Sequence, residues 1–222
     1  MAKELYTSSF FNDPNLIAYW RMENTNDSKG SFNLTNNGSV TFTSGKFYNA
    51  ANFNDGGTNS SKYLSRASND VRTGTGNFTH NLWFKTSKTG VDQRLLTYGA
   101  AATNQAVYLY IKDTDNKLVS TLHGRSGERS ANAVTDGSWH MATQVYDGTY
   151  LKLYLDGDLE AQGGASPDIG NTGFTIGRDW SVTSLFFTGL IDDVSIFTRD
   201  LSSAEIKKLF RIGNAIMFGT NF

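Results

Sequence analysis

The chain has 222 residues, a net charge of −1, 13% aromatic and 18% charged side chains, and no cysteine. Its length suits one sizeable core, and its near-neutral balance without a Lys/Arg cluster excludes an electrostatic footprint for nucleic acid or an anionic membrane. The missing cysteine excludes disulfides and Cys-based zinc sites, and 22 glycines with 2 prolines favour a turn-rich all-β chain over a helical one.

In chain order, the opening "MAKELYTSSFFNDPN" holds no apolar run of signal-peptide length, and no segment is long enough to insert in a bilayer. Strands are predicted at "LIAYWRM", "YLSRA", "FTHNLWFKT" and "RLLTYG". "AVYLYIKDTDNKLVSTLH" reads as a hairpin, with Val107, Leu109 and Ile111 alternating against Tyr108, Tyr110 and Lys112. "GSWHMATQVYDGTY" turns at Asp147-Gly148 into "YLKLYLDGDLEAQ", where Leu151, Leu153 and Leu155 alternate with Tyr150, Lys152 and Tyr154. Asp156-Gly157 then supplies a two-residue hairpin turn. "GFTIGR" and "LIDDVSIF" follow. Helix signals are nearly confined to "DLSSAEIKKLFRIG": Ser202 and Glu205 have capping-box spacing, Ile206, Leu209 and Phe210 form an apolar stripe, and Gly213 is placed to end the helix. No repeat or linker divides the chain, so one domain over 1–222 is expected.

Four segments resemble the laminin G-like, concanavalin A-like jelly-roll family. "AYW" with the later "GKFYNAANFNDG" resembles the family opening, and "FTHNLWFKT" is similar to its "FTxSxWxK" strand. "DGSWHMATQVYDGTYLKLYLDGDLEAQG" and "GLIDDVSIFTRDLSSAEIKKLF" resemble its "DGxWHHVAxTYDG" segment and its closing "GxIDDVRIYxRxLSxxEI" signature. They run in family order over about 14–212, leaving arms at 1–13 and 213–222. The resemblance implies a two-sheet antiparallel jelly-roll sandwich with one short C-terminal helix, and an extracellular or virion-surface location.

The fold hosts both enzymes and binding modules, so function must come from side chains. Retaining glycosidases on this fold set two acids on one strand face about 5–5.5 Å apart. No two of Glu4, Glu23, Glu128, Glu160 and Glu205 have that spacing. Asp192 and Asp193, as strand neighbours, are expected on opposite faces. His80, His123 and His140 lack a nucleophile elbow or a metal-ligand spacing. No enzyme is read here.

By alternation Asp192 lies in line with Leu190, Val194 and Ile196 and needs a compensating partner near the core. The resemblance implies that Asp192, with Glu23, binds a structural Ca2+; the alternative is that loop amides satisfy both acids without a metal. For ligand binding, Tyr108 and Tyr110, with Tyr150 and Tyr154, would form an aromatic floor if their faces line one sheet. Arg178 and Trp180 in "GRDWSVTS" are a second candidate. Cross-strand packing accounts for such tyrosines equally well. The leading expectation is a non-catalytic binding or adhesion module recognising a glycan or a protein surface. The alternative is a structural or decoration protein of a phage or other particle, assembling or oligomerising through its arms. A glycoside hydrolase with an unrecognised site comes third.

Overall fold

The computed structural model describes residues 8–54, 61–68 and 70–215. After a short helix α1 (Ser8–Phe11), the chain forms β1 (Leu16–Trp20), β2 (Thr35–Asn37), β3 (Thr41–Ser44), β4 (Asn49–Asn52) and β5 (Tyr63–Arg66). Longer strands follow: β6 (Phe78–Lys85), β7 (Gln93–Gly99), β8 (Ala106–Ile111), β9 (Lys117–Leu122) and β10 (Glu128–Ala133). Then come β11 (Trp139–Tyr146), β12 (Tyr150–Leu155), β13 (Asp158–Gly164), β14 (Phe174–Ile176), β15 (Leu190–Phe197) and helix α2 (Ser203–Ala215).

The strands build two antiparallel sheets, the jelly-roll sandwich. Sheet A has the order β13-β12-β11-β6-β15-β4-β3, with β1 also on β15; sheet B has the order β10-β9-β8-β7-β14-β5-β2. Alternation places one set of apolar residues between the sheets. Trp20, Phe78, Leu82 and Leu153 come from sheet A and Leu96, Leu109, Leu122 and Phe174 from sheet B, all with 0% exposure. Full burial of such side chains contributes about 1.5–3 kcal/mol each before conformational entropy is counted.

The hairpin expected at Asp156-Gly157 forms. Both residues have positive φ, 53° and 87°, the twist that suits a two-residue turn between right-twisted strands. β10 begins within the glycine-rich stretch "GRSGERS", at Glu128, where alternation gave no strand.

A second apolar cluster covers the outer face of sheet A. Leu16, Tyr19, Phe47, Trp83, Met141, Val145, Tyr154 and Phe197 meet Ile206 and Leu209 of α2 and Phe10 of α1. The capping box of α2 closes reciprocally: Glu205 N–H donates to Ser202 Oγ (3.3 Å), and Ser202 N–H donates to Glu205 Oε2 (2.8 Å). Gly213 does not end this helix, which continues to Ala215. It lies against Trp83 instead, where a Cβ would come within 2.4 Å of Cζ2, so only glycine lets the helix settle there.

Strand β15 departs from simple alternation. Asp192 faces Trp83 and Ser195 faces Asn81 across β6, so β15 carries one extra residue, a β-bulge. Asp193 occupies it with φ 47°, a left-handed conformation that Asp tolerates better than most residues. On its other edge β15 pairs with β4 at Leu190 and Ile191 and with β1 from Val194 onward, so the two acids sit where its neighbour changes. The aliphatic face is therefore Ile191, Val194 and Ile196. Asp192 and Asp193 both turn toward the second cluster, which corrects the expected split onto opposite faces.

Candidate ligand-binding face

The outer face of sheet B gathers several of the expected ligand residues. Tyr108 and Tyr110 alternate outward on β8, opposite the core row Val107, Leu109 and Ile111. Residues 177–189, joining β14 to β15, cross beside them. The Arg178 carbonyl accepts bonds from the hydroxyls of Thr97 (3.0 Å) and Thr175 (2.7 Å), and Trp180 N–H donates to Thr97 Oγ1 (3.0 Å). Both threonines are buried. Asp179 takes bonds from the Ser181 N–H and hydroxyl and from Arg94 Nε at 3.2 Å. The segment thus has a fixed base, with residues 181–184 exposed at its tip.

Arginines stack on the tyrosines of this face. Arg94 lies 4.2 Å from the Tyr110 ring centroid and Arg178 lies 3.8 Å from that of Tyr63. Tyr110, Trp180, Arg178 and Tyr63 are half-buried, so each keeps part of its side chain within reach of solvent. Tyr108 is more enclosed, at 8% exposure, with its hydroxyl 3.2 Å from His123 Nδ1. Burial, reinforced by the Asp179 charge, pushes its phenol above the ordinary value. Sequence reasoning missed Tyr63, Arg94, Thr97 and Thr175. Their outward positions on β5, β7 and β14 were the available signal, but which strands adjoin in one sheet is a long-range fact.

Tyr150 and Tyr154 do not join this face. They belong to β12 of sheet A, on the other side of the sandwich. Tyr154 is 2% exposed, with its hydroxyl 3.0 Å from Ser203 Oγ at the start of α2. The single aromatic floor expected from four tyrosines is corrected to two separate surfaces, with Arg94 lying over both tyrosine rings of the Tyr108/Tyr110 one.

The expected metal ligands lie at the β15 bulge. Asp192 Oδ2 accepts from the backbone N–H groups of Lys46 and Phe47, each at 2.9 Å, and Asp193 Oδ1 accepts from the Tyr19 hydroxyl at 2.5 Å. Asp192 Oδ1 and Asp193 Oδ2 are buried without a hydrogen-bond partner. Burial, and for Asp192 the neighbouring Asp193 charge, drives both carboxyls well above the ordinary range. Glu23 stands in a surface hollow of ≈ 540 Å³ with Arg21, Ser44, Tyr48 and Asn49. Its carboxylate accepts from the Asn49 amide side chain (2.9 Å) and backbone N–H (3.3 Å). Two orphaned hard oxygens are the donor chemistry that calcium takes. Among the described residues no three His, Cys, Asp or Glu side chains converge, so carbonyls and water would have to complete the shell.

The histidines are satisfied. His80 is 1% exposed and bonded to Gln144 and Tyr98, while His140 lies between Asp156 (2.8 Å) and Asp136 (3.2 Å). Burial opposes the His140 charge, but these two carboxylates raise its pKa overall. No helix among the described residues is long and apolar enough to cross a membrane.

Comparison with known proteins agrees with this architecture. The profile of the concanavalin A-like lectin/glucanases superfamily matches residues 55–207. Domain 4 of AbnA, an extracellular GH43 arabinanase from Geobacillus stearothermophilus solved with arabinotriose, superposes with TM-score 0.73 at 22% identity, covering 88% of this chain and 98% of that one. The binding domain of Paraclostridial Mosquitocidal Protein 1 gives TM-score 0.70 at 18% identity, covering 88% of this chain and 52% of that one. A structure of botulinum neurotoxin type C, whose cell entry depends on two ganglioside molecules, gives 0.70 at 16%, covering 93% and 53%. The chain thus spans about half the length of these toxin chains. No curated protein matches it. With the profile covering most of the sandwich, the chain belongs to the concanavalin A-like lectin/glucanases superfamily.

Proposed function

We propose that this domain is a non-catalytic glycan-binding module whose ligand lies on the outer face of sheet B. The observation that carries this reading is the grouping of half-buried Tyr63, Tyr110 and Trp180 with stacked Arg94 and Arg178 on one surface, beside a segment whose base is hydrogen-bonded to the sheet. Aromatic rings offer flat apolar area to sugar C–H faces, and the polar groups between them fix orientation. Arabinotriose in the structure of AbnA domain 4 supports this class of ligand by analogy of fold. Against catalysis stands the burial of the groups with the most displaced proton affinities, His80, Tyr98, Asp192 and Asp193, at 0–1% exposure. None can exchange a proton with a surface-bound sugar. The particle-assembly reading relied on free terminal arms. Of these, Phe10 and Gly213 pack against the second cluster, and 1–7 and 216–222 lie outside the described residues.

We further propose that Asp192 and Asp193, with Glu23 nearby, hold a structural calcium whose charge compensates the two buried carboxylates.

A glycan array tests the binding reading. Binding is expected for the native domain and is expected to fall at least tenfold in Tyr110→Ala and Trp180→Ala, the scale of one lost stacking contact. An array on which nothing binds a correctly folded domain removes the proposal.

A further inference from the structure

We propose that the glycan this face selects is acidic, and that Arg178, held flat on Tyr63, is the receptor for a sugar carboxylate. The inference rests on the glycan-binding reading and adds the chemical class of the ligand. The arginines in the strands of sheet B are spoken for: Arg66 pairs with Asp70 (2.6 Å), Arg94 with Asp179 (3.2 Å) and Asp92 (3.4 Å), and Arg129 with Asp115 (2.8 Å). Arg178 has no carboxylate partner among the described residues, and its Nε is buried with no hydrogen-bond partner. The adjacent acid, Asp179, spends its two oxygens on Arg94 and Ser181.

The position of Arg178 is prepared before any ligand arrives. Its carbonyl is fixed by Thr97 and Thr175, and its guanidinium is stacked 3.8 Å from the Tyr63 ring centroid. With its face on the ring and Nε buried, the guanidinium offers a ligand its two terminal NH2 groups. Their planar edge matches a carboxylate with two parallel charge-assisted bonds. Little side-chain entropy remains to be lost on binding, so the contact adds affinity at small ordering cost. On the strand beside Tyr63, Asn37 donates its amide to Ser65 Oγ (2.9 Å), placing polar groups suited to ring hydroxyls next to the stack. Uronic acids and sialic acids are sugars that carry a carboxylate on a pyranose ring. Both present the chemistry Arg178 is placed to accept.

The test compares oligogalacturonate, oligoglucuronate and sialyllactose with neutral arabino- and gluco-oligosaccharides by calorimetry or array, on the native domain, Arg178→Ala and Arg178→Lys. An acidic ligand is expected to bind more tightly than its neutral counterpart. Arg178→Ala is expected to lose roughly tenfold to a hundredfold for the acidic ligand only, with the planar fork making Arg178→Lys an incomplete rescue. Which acid binds separates uronate from sialate recognition. Neutral sugars bound as well as acidic ones overturn this inference and leave the glycan reading standing. Acidic binding unchanged in a folded Arg178→Ala overturns it too. Failure of every sugar to bind overturns both. Melting curves of each variant confirm that loss of binding is not loss of fold.

Discussion

Two buried polar clusters in this sandwich answer the same problem differently. Between the sheets, His80 and Gln144 from sheet A meet Tyr98 and Ser120 from sheet B. His80 bonds Gln144 Oε1 (2.9 Å) and the Tyr98 hydroxyl (2.5 Å), and Gln144 Nε2 donates to Ser120 Oγ (2.8 Å). Every link has its partner, and the line from Tyr98 through His80 and Gln144 to Ser120 joins the two sheets at both ends. Beneath α2, Asp192 and Asp193 are as deeply buried, yet each keeps an oxygen without a partner. A polar group satisfied by its neighbours is architecture. A buried carboxylate left half-satisfied asks for something the chain does not supply.

That contrast can be broken at its stronger end. Gln144→Ala should cost about 3–5 kcal/mol, because it opens a cavity and strands both His80 and Ser120. Urea unfolding measures it, and a loss under 1 kcal/mol would mean that the network is not a tie. At the other end, saturating calcium should raise the melting temperature by about 5 °C over chelator. Asp193→Asn should remove most of that rise, whereas Gln144→Ala should keep it. Coincident melting curves with calcium and chelator, in a domain first stripped of metal, would dismiss the ion.

The smallest effect is one of pH. Burial lowers the His80 pKa to about 3, against 6.5 for a free imidazole. The unfolded chain therefore binds the extra proton between those values while the folded one does not. The His80 contribution to stability is fully present above pH 6.5 and falls as pH drops toward 3, by roughly 1 kcal/mol between pH 6.5 and 5.5. His80→Gln should flatten that part of the profile in scanning calorimetry. An unchanged slope would show that His80 is not the group responsible.

The strands, the Asp156-Gly157 turn and the capping box of α2 were legible because each is written in a few adjacent residues. The bulge at Asp193 was not. An inserted residue leaves the alternation of a sequence intact and changes only what faces what, so the two acids read as opposed when the backbone brings them together. The tyrosines show the same limit. Tyr108 and Tyr150 carry identical local signals on strands β8 and β12, and only strand order assigns them to different sheets. Gly213 read as a stop because glycine often follows a helix. Its role came from Trp83, far away in sequence, whose indole needs the missing side chain.

The threonine hydroxyls that fix Arg178 and Trp180 divide the 177–189 segment in two. Its base is bolted to the sheet through Thr97 and Thr175, while residues 181–184 project with few obligations to the fold. Changes at that tip reach the proposed ligand face without reaching the core. The domain thereby keeps its scaffold apart from its most variable surface: a lineage or an engineer can rewrite four residues of the tip and leave the sheet that presents them untouched.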